Sequence, residues 1–123
     1  MRVIPVLDLK GGCVVHAVAG RREEYQPIRS VLVVSTAPLE VAAAFRRILG
    51  LRELYIADLD AIAGVEPAYE TLAGLAKLGC HLMVDAGVKD RVRTERLLDL
   101  GVSRVVLALE SLSGPAVLDR VLG

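Results

Sequence analysis

The chain has 123 residues, 54% of them hydrophobic and 24% charged, with 15 Lys and Arg set against 15 Asp and Glu. That is the length of one domain with a sizeable core. Zero net charge excludes the basic face of a nucleic-acid binder and a polybasic membrane anchor. No apolar run reaches the ~18 residues of a membrane span, and the opening MRVIPVLDLK is charged too soon for a signal peptide.

Taken in chain order, Val3–Leu7 is a short, continuous apolar run of strand type. Residues 9–37 read as an insertion carrying two further short strands, Cys13–Val18 and Ser30–Val34, the first opened by Gly11-Gly12 and closed by Gly20. Thr36 is positioned to cap a helix over Leu39–Leu49. A strand over Leu54–Ala57, a helix over Glu66–Leu78 and a strand over His81–Val84 follow. Asp90 then caps a helix over Arg91–Leu100, Arg104–Leu109 is the last strand, and Ser113 caps a helix over Ala116–Leu122. The strands are continuous rather than alternating, which predicts a parallel sheet covered on both faces.

Each helix closes on the same dipeptide: Leu49-Gly50, Leu78-Gly79, Leu100-Gly101 and Leu122-Gly123. Glycine accepts the left-handed conformation that ends a helix, and spacings of 29, 22 and 22 residues suit one βα unit each. The expectation is an α/β fold, a (βα)4 half of a TIM (βα)8 barrel with parallel strands in sequential order 1-2-3-4. It forms a single half-barrel domain over 1–123, in units of about 1–50, 51–79, 80–101 and 102–123. A complete barrel takes ~250 residues. A lone half exposes two edges and an apolar inner face, so the chain is expected to pair with a copy of itself or with a missing C-terminal half. Only 3% of residues are aromatic and mean hydropathy is +0.51, as such an aliphatic inner face would give.

Every strand finishes in a carboxylate: Asp8, Asp58 (with Asp60 two residues on), Asp85 and Glu110. In parallel α/β architectures the reacting groups sit where strands end, so four such acids would share one mouth. Crowded carboxylates raise one another's pKa, which lets one act as acid while another acts as base. Set against this, an acid after an apolar strand commonly satisfies backbone N–H groups or caps the next helix. His16 in the first insertion reads as a proton carrier or anion contact, or as a surface histidine without a role, while His81 lies at the opposite end of its strand. Lys10, Arg21, Arg22 and Arg29 make the insertion basic, for an anionic substrate or as an ordinary solvated loop. Cys13 and Cys80 have no metal-ligand spacing, which argues against a disulfide framework and for a reducing cytoplasm.

The segments Ile4-Pro5-Val6-Leu7-Asp8-Leu9-Lys10-Gly11-Gly12, Val14-Val15-His16, Ile56-Ala57-Asp58-Leu59-Asp60-Ala61, Val84-Asp85-Ala86-Gly87-Val88 and Leu100-Gly101-Val102-Ser103-Arg104-Val105-Val106 resemble the histidine-biosynthesis barrels. These are the ribotide isomerases and the cyclase subunits, and the likeness is to their N-terminal half. The resemblance implies an Amadori-type aldose–ketose isomerisation of a phosphorylated sugar or related small molecule, without metal or organic cofactor, in the cytoplasm. It makes Asp8 the general base, with Lys10, His16, Asp58, Asp85 and Glu110 around the substrate. The general acid of those enzymes comes from the second half. Where they carry small residues that cradle a phosphate after strands three and four, this chain has Asp85 and Glu110. A carboxylate beside a phosphate is repulsive, so the resemblance shifts toward an isomerase-like group that accompanies methanopterin-type one-carbon metabolism, with a substrate bearing fewer phosphates. The alternative is a non-catalytic half-barrel, a self-associating scaffold without a complete site. A receiver-type signalling domain is disfavoured for want of a fifth βα unit.

Overall fold

A computed structural model describes residues 3–18, 21–27, 36–108 and 119, with the backbone alone for 16–18 and 21–27. The elements run β1 (Val6–Lys10), β2 (Cys13–Val18), β3 (Arg21–Pro27), α1 (Pro38–Leu49), β4 (Glu53–Asp58), α2 (Leu59–Ile62), α3 (Tyr69–Lys77), β5 (His81–Asp85), α4 (Arg91–Asp99) and β6 (Arg104–Val105). They build one six-stranded sheet in the order β3-β2-β1-β4-β5-β6. The four strands β1, β4, β5 and β6 are parallel and sequential, as the βα alternation requires.

The expectation of a purely parallel sheet is corrected at its first edge. There β2 and β3 form an antiparallel hairpin on β1, pairing Asp8 with Val15, Leu9 with Val14 and Lys10 with Cys13. The cause is local. Gly11 and Gly12 take φ of 59° and 78°, the two positive values that a two-residue hairpin turn demands and that only glycine adopts without strain. The hairpin's second strand is Arg21–Pro27, and the strand expected over Ser30–Val34 lies outside the described residues, as do the helix over Ala116–Leu122 and its cap Ser113.

Other boundaries move for physical reasons. Thr36 does not cap α1; Ala37 holds the cap position without a side-chain bond, Pro38 follows it, and the Thr36 carbonyl instead accepts from the Val14 N–H at 2.8 Å. The helix expected over Glu66–Leu78 begins only at Tyr69, after Pro67 and the cap residue Ala68, and the short α2 precedes it. Asp90 caps α4 as expected, accepting from the Arg93 N–H at 2.8 Å. Gly50, Gly79 and Gly101 all have positive φ at or just past the helix ends, so three of the four Leu-Gly stops are realised among the described residues.

Burial alternates along the strands. Leu7, Leu9, Leu54, Ile56, Leu82 and Val84 lie on one face with Val41, Leu72, Leu75 and Leu97 in a single aliphatic core. The other face carries Val6, Asp8, Glu53, Tyr55, Ala57, Met83 and Asp85, all partly or fully exposed. The described helices therefore pack on the first face, and on the other Val6 is left 62% exposed.

Candidate active site

Parallel pairing brings Asp8, Ala57 and Asp85 into one row across β1, β4 and β5. Directly paired residues project to the same side, so the row lies on the open face at the C-terminal ends of the strands. Asp8 and Asp85 are separated by two strand spacings, about 9–10 Å between backbones. Ala57, with its small side chain, stands between the two acids in the row. Asp85 is held by its own loop, accepting from the Gly87 N–H at 3.2 Å through Oδ1. Gly87 cannot be replaced cheaply. Its φ is 60°, and an added Cβ would stand 2.9 Å from the Ile62 Cα.

One residue row below, Tyr55 pairs with Val6 and Met83. Burial raises the pKa of its phenol, and the neighbouring Asp85 charge raises it further. This side chain was not among the sequence candidates. Its signal was parity alone, two residues before Ala57 on the same face.

Asp58 stands apart from Asp8 and Asp85. Its partner in β1 is Leu9, so it faces the helices, where it is 2% exposed. Oδ1 accepts from the Ala61 N–H at 3.2 Å and Oδ2 from the Ala68 N–H at 2.8 Å, which caps α2 and ties down the chain leading into α3. Burial raises its pKa, the Ala68 and Ala61 hydrogen bonds lower it, and the nearby Asp60 raises it again. Asp60 accepts from the Gly11 N–H at 2.8 Å through Oδ2, fastening the β1–β2 turn to α2. The acids expected to share one mouth thus divide by strand parity. Asp8 and Asp85 stay on the open face, whereas Asp58 and Asp60 hold loops.

Lys10 follows Asp8 by two residues along β1, on the same face, and is half-buried at the hairpin turn. His16 lies in β2, paired with Gln26 and next to Val15, the partner of Asp8. Glu110 lies outside the described residues. Among the described residues no three His, Cys, Asp or Glu side chains gather closely enough to hold a metal ion. Also among them, no helix is long and apolar enough to cross a membrane.

Known proteins match this chain over most or all of its length. An uncharacterised protein of Methanocaldococcus jannaschii is 36% identical over 114 residues, 91% of this chain and 49% of its own. A phosphoribosyl imidazole-4-carboxamide isomerase of Desulfitobacterium hafniense is 31% identical over 98% of the chain and 46% of its own length. An isomerase of the same name from Campylobacter concisus is 33% identical over 100% of the chain and 50% of its own. The chain spans about half the length of the curated relatives it matches. The family model described as histidine biosynthesis protein matches residues 2–123. With that match running through every strand, helix and strand-end acid described above, the chain belongs to the histidine biosynthesis protein family.

Proposed function

We propose that the chain is one half of a (βα)8 isomerase barrel, a single half-barrel domain over 1–123 whose open sheet face becomes the barrel interior when a second half closes it. Its reaction is an Amadori-type aldose–ketose isomerisation of a phosphorylated sugar or related small molecule. Asp8 takes the proton from one sugar carbon and returns it to the neighbouring one. The observation that carries this reading is the row Asp8–Ala57–Asp85, with two acids on one face of the sheet at the strand ends, in a family whose members include isomerases. Lys10 would contact the substrate from the hairpin, and Asp58 would position it indirectly by holding the α2 loop. Asp85 and, from the sequence, Glu110 would shape a pocket that disfavours a phosphate on their side. The chemistry asks for no cofactor from these residues, and the cytoplasm is the fitting compartment. A partner half, either a second copy or a C-terminal continuation, would supply the general acid.

The test is Asp8→Asn in the protein assembled to eight strands, assayed on phosphorylated aldose substrates of the ribotide type. Loss of a general base is expected to cost 10²–10⁴-fold in turnover. Unchanged turnover would sink the catalytic role. A second reading, a self-associating half-barrel without catalysis, is favoured by Val3 and Val6, which are 58% and 62% exposed at the start of β1. Light scattering separates the states, since a dimer would close the face and a monomer would leave it open.

A further inference from the structure

At the other end of the strands lies a pocket of about 350 Å³, bounded by the end of α1, the Gly50–Arg52 link into β4, and Leu78 and Cys80 before β5. Arg46, Arg47 and Arg52 line it, and among the described residues no carboxylate does. We propose that it is an anion site for the phosphate group of a small molecule, separate from the Asp8–Ala57–Asp85 row and independent of the isomerase reading.

The arginines differ in what already occupies them. Arg46 is committed, because its guanidinium donates to the Leu78 carbonyl and it lies against Gly79. That anchor fixes one side of the pocket. Arg47 and Arg52 form no salt bridge among the described residues. The C-terminal dipole of α1 accounts for Arg46 and Arg47 in the last turn, but Arg52 lies past the helix, where the dipole gives it no role. Gly50, left-handed at φ 66°, has nothing within 4 Å of where a Cβ would stand, so the rim between the arginines is open. The buried Cys80 and partly buried Leu78 give the pocket an apolar floor, against which a guanidinium–anion bond is less well screened. A neutral chain that gathers three cations without an acid has built a local field suited to a dianion. Guanidinium forks match phosphate oxygens in pairs, which selects phosphate over a monovalent anion.

The experiment is an NMR titration of the protein with inorganic pyrophosphate at constant ionic strength, reading the Gly50, Leu51 and Arg52 amides. Saturable shifts are expected at these amides, with binding weakened at least tenfold in the double variant Arg47→Gln, Arg52→Gln. Arg46 stays in place so that the Leu78 contact, and the fold, are retained. Asp8→Asn should leave the shifts unchanged, which separates this site from the open face. Linear, non-saturating shifts would overturn the proposal, and so would the same saturation in the double variant.

Discussion

Adjacent residues of β4 live in different surroundings. Leu54, Ile56 and Asp58 face the helices at 0–2% exposure, while Glu53, Tyr55 and Ala57 look onto the open side. The same residue type therefore does different work according to the parity of its position. Asp58 faces the core and collects two backbone N–H groups; Asp85, paired with Ala57, keeps one oxygen on its loop and lies on the opposite face. A carboxylate at a strand end is not one kind of object. It is structural when it falls on the helix side and available for chemistry when it falls on the other.

The largest contrast between the faces should come from truncation. Leu54→Ala removes a fully buried side chain and is expected to cost about 2–5 kcal/mol, whereas Tyr55→Phe next to it should cost less than about 1 kcal/mol. Urea unfolding of the two variants checks this, and equal losses would mean that the second face is as tightly packed as the first.

The acids give the next largest effect. Asp58→Asn leaves one carbonyl oxygen for two donors and turns an NH₂ toward a backbone N–H, an expected loss of about 1–3 kcal/mol. Asp85→Asn keeps its Oδ1 acceptor for Gly87 and should change stability by less than about 0.5 kcal/mol. The pH dependence sharpens the difference. The folded-state pKa of Asp58 is raised above its ordinary 3.8, so the native state binds that proton more readily than the unfolded chain. Its contribution is thus fully present below the unfolded pKa and is lost as pH rises through the folded one. In Asp58→Asn this fall in stability from pH 3.8 upward should flatten, and denaturant midpoints measured across that range test it. An unchanged slope would assign the dependence to other groups.

The smallest effect is electrostatic and confined to the open face. Asp85→Asn removes the charge that adds to burial in raising the Tyr55 pKa, so the phenol should titrate at lower pH. The difference in tyrosinate absorbance between protein and variant reads this directly. No movement would place the carboxylate too far from the ring for the two to belong to one site.

Much of this was legible in the residues. The first three βα units, the Leu-Gly stops at Gly50, Gly79 and Gly101, the Asp90 cap and the acids Asp8, Asp58 and Asp85 all follow from local patterns: apolar runs, glycine's freedom at positive φ, and an acid's affinity for free N–H groups. The strand Arg21–Pro27 is not legible in the sequence because it carries charges and a proline, a poor strand signal that pairing along an edge overrides. Thr36 looked like a cap but was drawn into a backbone bond with Val14, a contact between residues far apart in sequence.

By itself the sequence determined the class of the protein: an aliphatic βα repeat with an acid at each strand end, set by period, composition and turn chemistry. What the tertiary structure alone decided was which acids could act together. Register between β1, β4 and β5 puts Asp8 and Asp85 on the open face and turns Asp58 inward, because side chains alternate strictly across a sheet and a shift of one residue reverses every one of them. Only the packing of α1 against α3 brings Leu78 and Cys80 beside Arg46, Arg47 and Arg52 to bound one pocket, since no local pattern in the chain records what its distant parts enclose.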